Sequence, residues 1–257
     1  MSDSTTELPT GTQRGELLLL HVVNISYCIT YQRDTTEFIN NKKLAYNMPS
    51  LTKDNVEQLR AEFDRQLDVG LHHGAQLAVY VDGELVVNFA GGVDGPEGEQ
   101  TTPEKRHLIF SCTKPLAGVG LHQLIESGDA AYDDPIVTHW PEFAESGTQK
   151  AEITIRQVLS HTAGVPYGDF DEAVEEWGDW DAVVAAMEDI DPVYEPGEQP
   201  AYHTFNYGWI VGELIHRISG QHVDEYVADH VLDPLGLDHT SIGLDENEPD
   251  NVATLAG

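Results

Sequence analysis

The chain has 257 residues, of which 45 are aspartate or glutamate and 13 are lysine or arginine, giving a formal net charge of −32. A field of this sign repels phosphate groups, so we expect no nucleic-acid partner and no binding to an anionic membrane surface. The carboxylates are scattered among ample apolar residues and the length suffices for a sizeable core. The composition therefore favours a globular chain over a disordered one.

The acidity predicts a halophilic protein from a high-salt cell interior. Dense carboxylates keep a surface hydrated, and salt screens their mutual repulsion. Only two cysteines are present, Cys28 and Cys112. No disulfide framework is indicated, and we predict a cytoplasmic location. We expect Cys112 to be a small packing residue.

The charge is not uniform along the chain. Residues 1–47 carry four basic and five acidic residues, which leaves nine basic and 40 acidic residues for 48–257. The apolar run at 17–31 contains His21 and Asn24, so it is too short and too polar for a spanning helix and makes a poor signal peptide. We predict that 1–47 is an atypical N-terminal segment outside the domain, which covers 48–257.

The first predicted elements of the domain are a helix and a hairpin, within residues 48–110. Apolar residues recur on one helical face from Thr52, and Gly70 marks the end of that helix. Two β-rich runs in AQLAVYVDGELVVNFAGG (75–92) then flank Asp82-Gly83, a strong hairpin signal. Two strands alone do not form an independent sheet. Either they pack on the helices, or their neighbours lie beyond residue 257.

Residues 111–257 are predicted to be mainly helical. Helical stripes of apolar residues begin at Ser111 and Tyr207, and glycines at 128 and 220 stop them. Shorter helices are predicted in ITIRQVLSHTAGVP (153–166), in pieces of DEAVEEWGDWDAVVAAMED (171–189), and from Val223 to just before Pro234.

The stretch FSCTKPLAG (110–118) contains a candidate nucleophile, because Ser111 lies three residues before Lys114 and shares a helix face with it. A serine hydroxyl is a poor nucleophile until a base takes its proton. A lysine can be that base where burial or a nearby cation lowers a lysine pKa. A serine at a helix start also gains from free N–H groups that stabilise an oxyanion. Pro115 fits such an early helical turn.

The spacing alone does not identify a site, since such a match is expected about once in a chain of this length. Ser50 and Lys53, in SLTK, have the same spacing. That pair precedes an ordinary amphipathic helix, and helix capping explains it. The surrounding motifs must decide between the two pairs.

Several motifs in order carry a family resemblance. They are FSCTK, VLSHTAGVPY (158–167), YEPGEQPAYHTFNYGWIVGELIHRISG (194–220) and VLDPLGLDHTSIGL (231–244). Together, over about residues 54–244, they resemble the class C β-lactamase-like serine hydrolases, which include penicillin-binding carboxypeptidases and carboxylesterases. The resemblance implies an α/β (α+β) fold of the β-lactamase/transpeptidase type. In that fold an antiparallel sheet with flanking helices adjoins an all-helical lobe, and the active site lies in the cleft between them.

The resemblance also implies roles for three residues. Ser111 corresponds to the acylated nucleophile and Lys114 to the residue that activates it. The tyrosine motif falls on Tyr202-His203-Thr204, 88 residues beyond Lys114. Tyr202 would then be the partner base and acid, moving a proton between the serine and the leaving group.

Two departures from the family pattern matter. Thr204 stands where many members have asparagine, which looks more like the esterase-type branch, with Y-H-x. No K-T-G or H-x-G follows Tyr202, although that third motif supplies the second oxyanion donor. HTAG (161–164) precedes Tyr202 and is a structural turn in the family. We therefore expect a C-terminally truncated domain whose sheet is incomplete and whose later strands are missing.

The predicted function is a serine hydrolase that forms an acyl-enzyme with a small-molecule carboxylic ester or related amide. The alternative is a non-catalytic fragment or pseudoenzyme that binds a ligand or a partner chain, including self-association through an exposed sheet edge. No cofactor is expected, and no H-E-x-x-H spacing predicts a metal. We expect His161 and His203 to be structural. Trp177, Trp180 and Trp209 are expected in the core or in a pocket lining.

The halophile hypothesis predicts that the protein loses its fold when it is moved from molar salt to low salt, because unscreened carboxylates then repel one another. Circular dichroism across a salt titration measures this. Stability that does not change with salt would contradict the hypothesis.

Overall fold

The computed structural model describes residues 28–31, 52–81, 83–94, 98–244 and 252–254. Three strands form one sheet: β1 Cys28–Tyr31, β2 Gly74–Val81 and β3 Glu84–Gly92. The helices are α1 Lys53–Asp68, α2 Lys114–Ser127, α3 Ile155–Leu159, α4 Trp180–Asp189, α5 Asn206–Ser219 and α6 Val223–Val227. No helix within these ranges is long and apolar enough to cross a membrane.

Helix α1 begins where the sequence predicts. The Thr52 hydroxyl accepts the Asn55 N–H at 3.2 Å, and the Asn55 side chain accepts the Thr52 N–H at 3.0 Å, which forms a capping box. Thr52 is therefore the cap, whereas Ser50 lies outside the described residues. Phe63 packs edge-to-face on Phe89 with ring centroids 5.8 Å apart, which attaches α1 to β3.

The predicted hairpin is confirmed, and the sheet has one strand more than the sequence suggested. Strands β2 and β3 are antiparallel, and Gly83 in their turn has a φ of 82°, which favours glycine. Strand β1 pairs in parallel with β2, so the sheet order is β1-β2-β3. The expectation that only a hairpin is present missed β1, because it lies in the segment 1–47 that composition set apart. That domain boundary stays a prediction.

The helical block follows its predicted order, with one difference at its start. The chain enters α2 through a 3-10 turn at Phe110–Thr113 rather than through a regular first helical turn. Gly128 and Gly220 end α2 and α5 in the left-handed conformation, with φ of 90° and 83°. Two 3-10 turns precede α4, as expected for a region that is helical in pieces. The helix predicted from Val223 is regular only as far as Val227 and continues as a π-helical turn and a 3-10 turn.

The main hydrophobic core joins α2, α3, α4 and α5. Its largest fully buried side chains include Leu121, Ile136, Trp140, Phe143, Ile153, Ile155, Met187, Ile210, Leu214 and Ile215. Buried Lys150 donates from Nζ to the carbonyls of Met187 and Glu188 at 2.9 and 2.6 Å, which satisfies the last turn of α4. Burial lowers the pKa of Lys150 to about 8, although nearby carboxylates act to raise it.

One buried carboxylate connects three parts of this lobe. Glu213 on α5 is 4% exposed. It accepts the Trp180 indole N–H at 2.8 Å and the Arg217 Nε–H at 2.6 Å. The same guanidinium donates to Glu142, which is exposed, at 2.6 Å. The arginine thus has one buried and one solvated carboxylate partner at hydrogen-bond distance, and Glu188 lies 3.9 Å from its guanidinium.

Glu213→Ala is expected to lower the free energy of unfolding by about 2 kcal/mol, because two donors lose their buried acceptor. Urea denaturation at fixed salt measures the change. Glu142→Ala is the matched control, since it removes the exposed partner of the same arginine and should change stability little. Equal losses in the two variants would contradict the assignment of the stabilising contact to Glu213.

Candidate active site

Ser111 lies at the surface in the 3-10 turn that leads into α2. The residue before it, Phe110, has a φ of 46°, a left-handed conformation that costs energy for a bulky side chain. The first hydrogen bond of the turn runs from the Cys112 N–H to the Ile109 carbonyl at 3.0 Å. The turn therefore leaves the Ser111 N–H without a helical acceptor, available to a ligand.

Lys114 is the first residue of α2 and links Ser111 to a distant loop. Its Nζ lies 3.1 Å from the Ser111 Oγ and 2.7 Å from the main-chain oxygen of Thr204. Pro115 follows in the first turn of the helix, where a missing N–H breaks no hydrogen bond. The lysine amine therefore contacts both the serine and the segment that carries the tyrosine motif.

Tyr202 packs its ring against the same amine. The Lys114 Nζ lies 5.0 Å from the Tyr202 ring centroid, and the tyrosine side chain is about half exposed. The structure thus brings Ser111, Lys114 and Tyr202 together, with the lysine in the middle. Their catalytic roles stay a proposal.

The HTAG turn (161–164) holds the loop that carries Tyr202. Main-chain oxygens of His161, Thr162 and Gly164 accept from the N–H groups of residues 201, 197 and 193, at 2.9, 2.8 and 2.8 Å. His161 and Gly164 have positive φ values of 59° and 85°. A side chain on Gly164 would meet the Tyr194 carbonyl at 2.6 Å, so this turn requires glycine.

His161 and His203 lie beside the site. Neither forms a hydrogen bond with Ser111 among the residues that the structure describes. The His203 N–H donates to His161 Nδ1 at 3.1 Å, and the fully buried His203 ring contacts the Ala201 carbonyl at 2.6 Å. Burial lowers the pKa of both imidazoles, and the charge of Lys114 adds to the effect on His161. The sequence did not indicate that His161 contacts Tyr202.

The tryptophans separate into two environments. Trp177 and Trp209 form an aromatic cluster with Phe170 and Phe205, with ring centroids 4.6–5.9 Å apart. Phe205 follows Thr204 directly and is partly exposed, so this cluster adjoins the Lys114 contact. Trp180 lies elsewhere, bonded to Glu213.

Cys112 is exposed, so the expectation of a packing residue is wrong. It lies in the 3-10 turn before α2, and that turn has no buried residue. The described residues form no group of three or more histidine, cysteine, aspartate or glutamate side chains that could hold a metal ion.

Comparison with known proteins gives the family. The family model described as β-lactamase matches residues 59–257. The chain belongs to the β-lactamase family. The solved structure of a penicillin-binding protein homologue from Caulobacter crescentus superimposes on this chain with a TM-score of 0.70 and 33% sequence identity. The match covers 79% of this chain and 54% of the homologue. A family VIII carboxylesterase structure gives 0.68 and 28%, covering 77% and 54%. The predicted family and fold class are confirmed.

The match with curated relatives covers a smaller share of the relatives than of this chain. The esterase/β-lactamase LipL of Mycobacterium tuberculosis (strain ATCC 25618 / H37Rv) is 29% identical over 174 residues, which is 66% of this chain and 39% of LipL. Protein flp of Staphylococcus aureus (strain MW2) is 27% identical over 195 residues, 74% of this chain and 39% of flp. This β-lactamase-family chain therefore spans about two fifths of the length of these relatives.

The Lys114 contact uses the main chain of residue 204, so the side chain there is expected to be replaceable. Thr204→Ala should label at Ser111 with a fluorophosphonate within about twofold of the wild-type rate, because the carbonyl acceptor stays. Lys114→Met keeps the length of the side chain and removes the amine. It should slow labelling at least about 100-fold. Labelling kinetics by mass spectrometry compare the two, and a large loss in Thr204→Ala would assign the contact to the side chain instead.

Proposed function

We propose that this protein is a serine hydrolase that acts on carboxylic esters or related amides through an acyl-enzyme on Ser111. The single observation that carries the proposal is the position of Lys114, whose Nζ lies within hydrogen-bond distance of both the Ser111 Oγ and the Thr204 carbonyl. Membership of the β-lactamase family supports it. Similarity to the esterase/β-lactamase LipL and to a family VIII carboxylesterase supports esters as the substrate class.

The acylation step follows from this geometry. To act as a base, Lys114 first gives one proton to solvent, and the amine then has two N–H groups and one lone pair. One N–H donates to the Thr204 carbonyl, which aims the lone pair at the Ser111 hydroxyl. Ser111 Oγ forms a bond to the ester carbon, the carbonyl electron pair moves to oxygen, and the serine proton passes to Lys114. When the bond to the leaving oxygen breaks, that proton passes to the alkoxide, so an alcohol leaves.

Tyr202 is the second proton carrier in this proposal. Its ring lies against the Lys114 amine, so its phenol can pass a proton between Lys114 and the leaving oxygen. Water then attacks the acyl carbon, its proton returns to Ser111 by the same groups, and a carboxylic acid is released. Each step conserves protons, and no co-reactant other than water is needed.

The Ser111 N–H supplies one oxyanion donor. The second donor of the family pattern, on a K-T-G or H-x-G segment, does not follow Tyr202 in these 257 residues. Loss of one such donor costs roughly 10²–10³ in rate. Acylation and deacylation both pass through an oxyanion, so both steps are expected to be slower when these residues act alone.

Two physical arguments favour esters over amides with a carboxylate. An alkoxide leaves with less help from an acid than an amine does, so an ester makes smaller demands on Tyr202. Where salt does not screen it, the net charge of −32 repels anionic substrates, whereas a neutral ester approaches without that penalty at any salt concentration. The threonine at position 204, where many family members have asparagine, also favours esters because it resembles the esterase-type branch.

The test is covalent labelling of the whole chain with a fluorophosphonate in molar salt, followed by peptide mass spectrometry. We expect one adduct on Ser111, none in Ser111→Ala, and hydrolysis of p-nitrophenyl acetate that depends on the same residue. Ser50→Ala is the matched control, since that serine has the same spacing to a lysine and should not affect labelling.

An unlabelled wild-type chain with native circular dichroism would overturn the catalytic proposal. That result would favour the alternative, a family member that binds a ligand or partner without turnover. A label on Ser50 would likewise contradict the assignment of the nucleophile.

A further inference from the structure

The imidazole of His161 lies among the aromatic groups of the site. Its ring centroid is 4.7 Å from that of Tyr202, 5.0 Å from that of Tyr207 and 5.5 Å from that of His203. Tyr207 stands on α5, and its hydroxyl would meet a side chain on Gly118 at 2.9 Å, so it also borders α2. The histidine therefore lies where α2, α5 and the loop that carries Tyr202 come together.

Two hydrogen bonds to His161 hold the main chain on both sides of Tyr202. The Ala201 N–H donates to the His161 carbonyl at 2.9 Å, and the His203 N–H donates to the His161 Nδ1 at 3.1 Å. The Tyr202 side chain is 53% exposed, so packing alone holds it weakly. Its position against Lys114 is therefore set mainly by its flanking main chain and by the imidazole ring.

The second of these bonds requires a neutral imidazole. Nδ1 can accept the His203 N–H only while it carries no proton, which places the ring proton on Nε2. Protonated Nδ1 would instead point a donor at a donor. The titratable groups that face His161 are Lys114 from α2, Tyr202 and His203 from the loop, and Tyr207 from α5. Burial, and then the charge of Lys114, lower the pKa of His161 and so favour the neutral form.

The backbone of His161 is also unusual. Its φ of 59° is a left-handed conformation, which a histidine adopts at some cost and which asparagine adopts more readily. A strained residue that persists beside a reactive group suggests a functional role. The imidazole supplies both an acceptor at Nδ1 and a ring face for Tyr202, and an asparagine supplies only the acceptor.

We propose that neutral His161 is the positioning residue for Tyr202, holding the phenol against Lys114 through the His203 N–H and through ring contact. The proposal rests on the proposed function and adds a residue that lies outside both the Ser111–Lys114 pair and the Tyr202-His203-Thr204 motif. Below the pKa of His161, which lies under the ordinary histidine value, the proton removes the acceptor and releases Tyr202. Hydrolysis should then fall as the pH falls through that value.

Two variants and one control separate the acceptor from the ring. His161→Phe keeps a ring and loses the acceptor, so kcat for p-nitrophenyl acetate should fall about tenfold with KM nearly unchanged. His161→Asn keeps an acceptor at the Nδ1 position and cannot titrate, so kcat should stay within about threefold and the acidic loss of activity should move to lower pH. His239→Asn, an exposed histidine far along the sequence, should match the wild type throughout.

The comparison of pH profiles decides the proposal, because Lys114, Tyr202, His203 and Tyr207 are the same in every variant. An unchanged kcat in His161→Phe would overturn it. If His161→Phe does not fold by circular dichroism, the His161→Asn profile decides instead, and an acidic limb identical to that of the wild type would overturn the proposal.

Failure of the proposed function is a distinguishable result. If the wild-type Ser111 takes no label, the Tyr202 ring signals are followed by NMR against pH, with Tyr202→Phe for assignment. They should shift with the titration of His161 in the wild type and not in His161→Asn. Signals that stay constant in the wild type would overturn the positioning role whether or not the chain is an enzyme.

Discussion

The site depends on one hydrogen bond that closes a long stretch of chain, from Lys114 Nζ to the main-chain oxygen of Thr204 at 2.7 Å. It joins the start of α2 to the loop before α5. Both helices are fixed behind the site by buried residues, such as Leu121 on α2 and Ile210 on α5. A change in their packing would separate the amine from its acceptor and from Tyr202 together. The distances among Ser111, Lys114 and Tyr202 are thus set by a hydrophobic core that contains none of these three residues.

The HTAG turn (161–164) fixes the position of the loop that carries Tyr202. A loop of this exposure has few apolar contacts, so its main-chain bonds must define its course. Three of those bonds end on residues 161–164. The turn reaches its shape through two left-handed residues, His161 and Gly164. The hydrogen bonds of this strained turn therefore fix the main chain around Tyr202 more firmly than packing of the exposed tyrosine side chain does.

Local patterns in the sequence predicted the helices, their glycine stops and the hairpin, because those features depend on nearby residues. They missed β1, since strand pairing through the main chain leaves no trace in composition. They also missed the contact between His161 and His203, which lie far apart along the chain and become neighbours only after the lobe folds. The stripe of apolar residues predicts a regular helix from Ser111, because such a stripe does not distinguish an α-helical turn from a 3-10 turn at a helix end. Motif order, rather than spacing, indicated Ser111.

The two serine–lysine pairs show why spacing was insufficient. Lys53 is 88% exposed and its described partner is Glu57, 3.6 Å away on the surface of α1. Lys114 has a hydroxyl, a carbonyl and an aromatic ring around its amine. The first lysine is a solvated charge beside a carboxylate, and such a pair contributes little to stability or chemistry. The second lysine is held between the start of α2 and the loop before α5, which its hydrogen bond to the Thr204 carbonyl connects. The two lysines differ in the partners that tertiary structure brings to the amine, and an i, i+3 pattern carries no information about those partners.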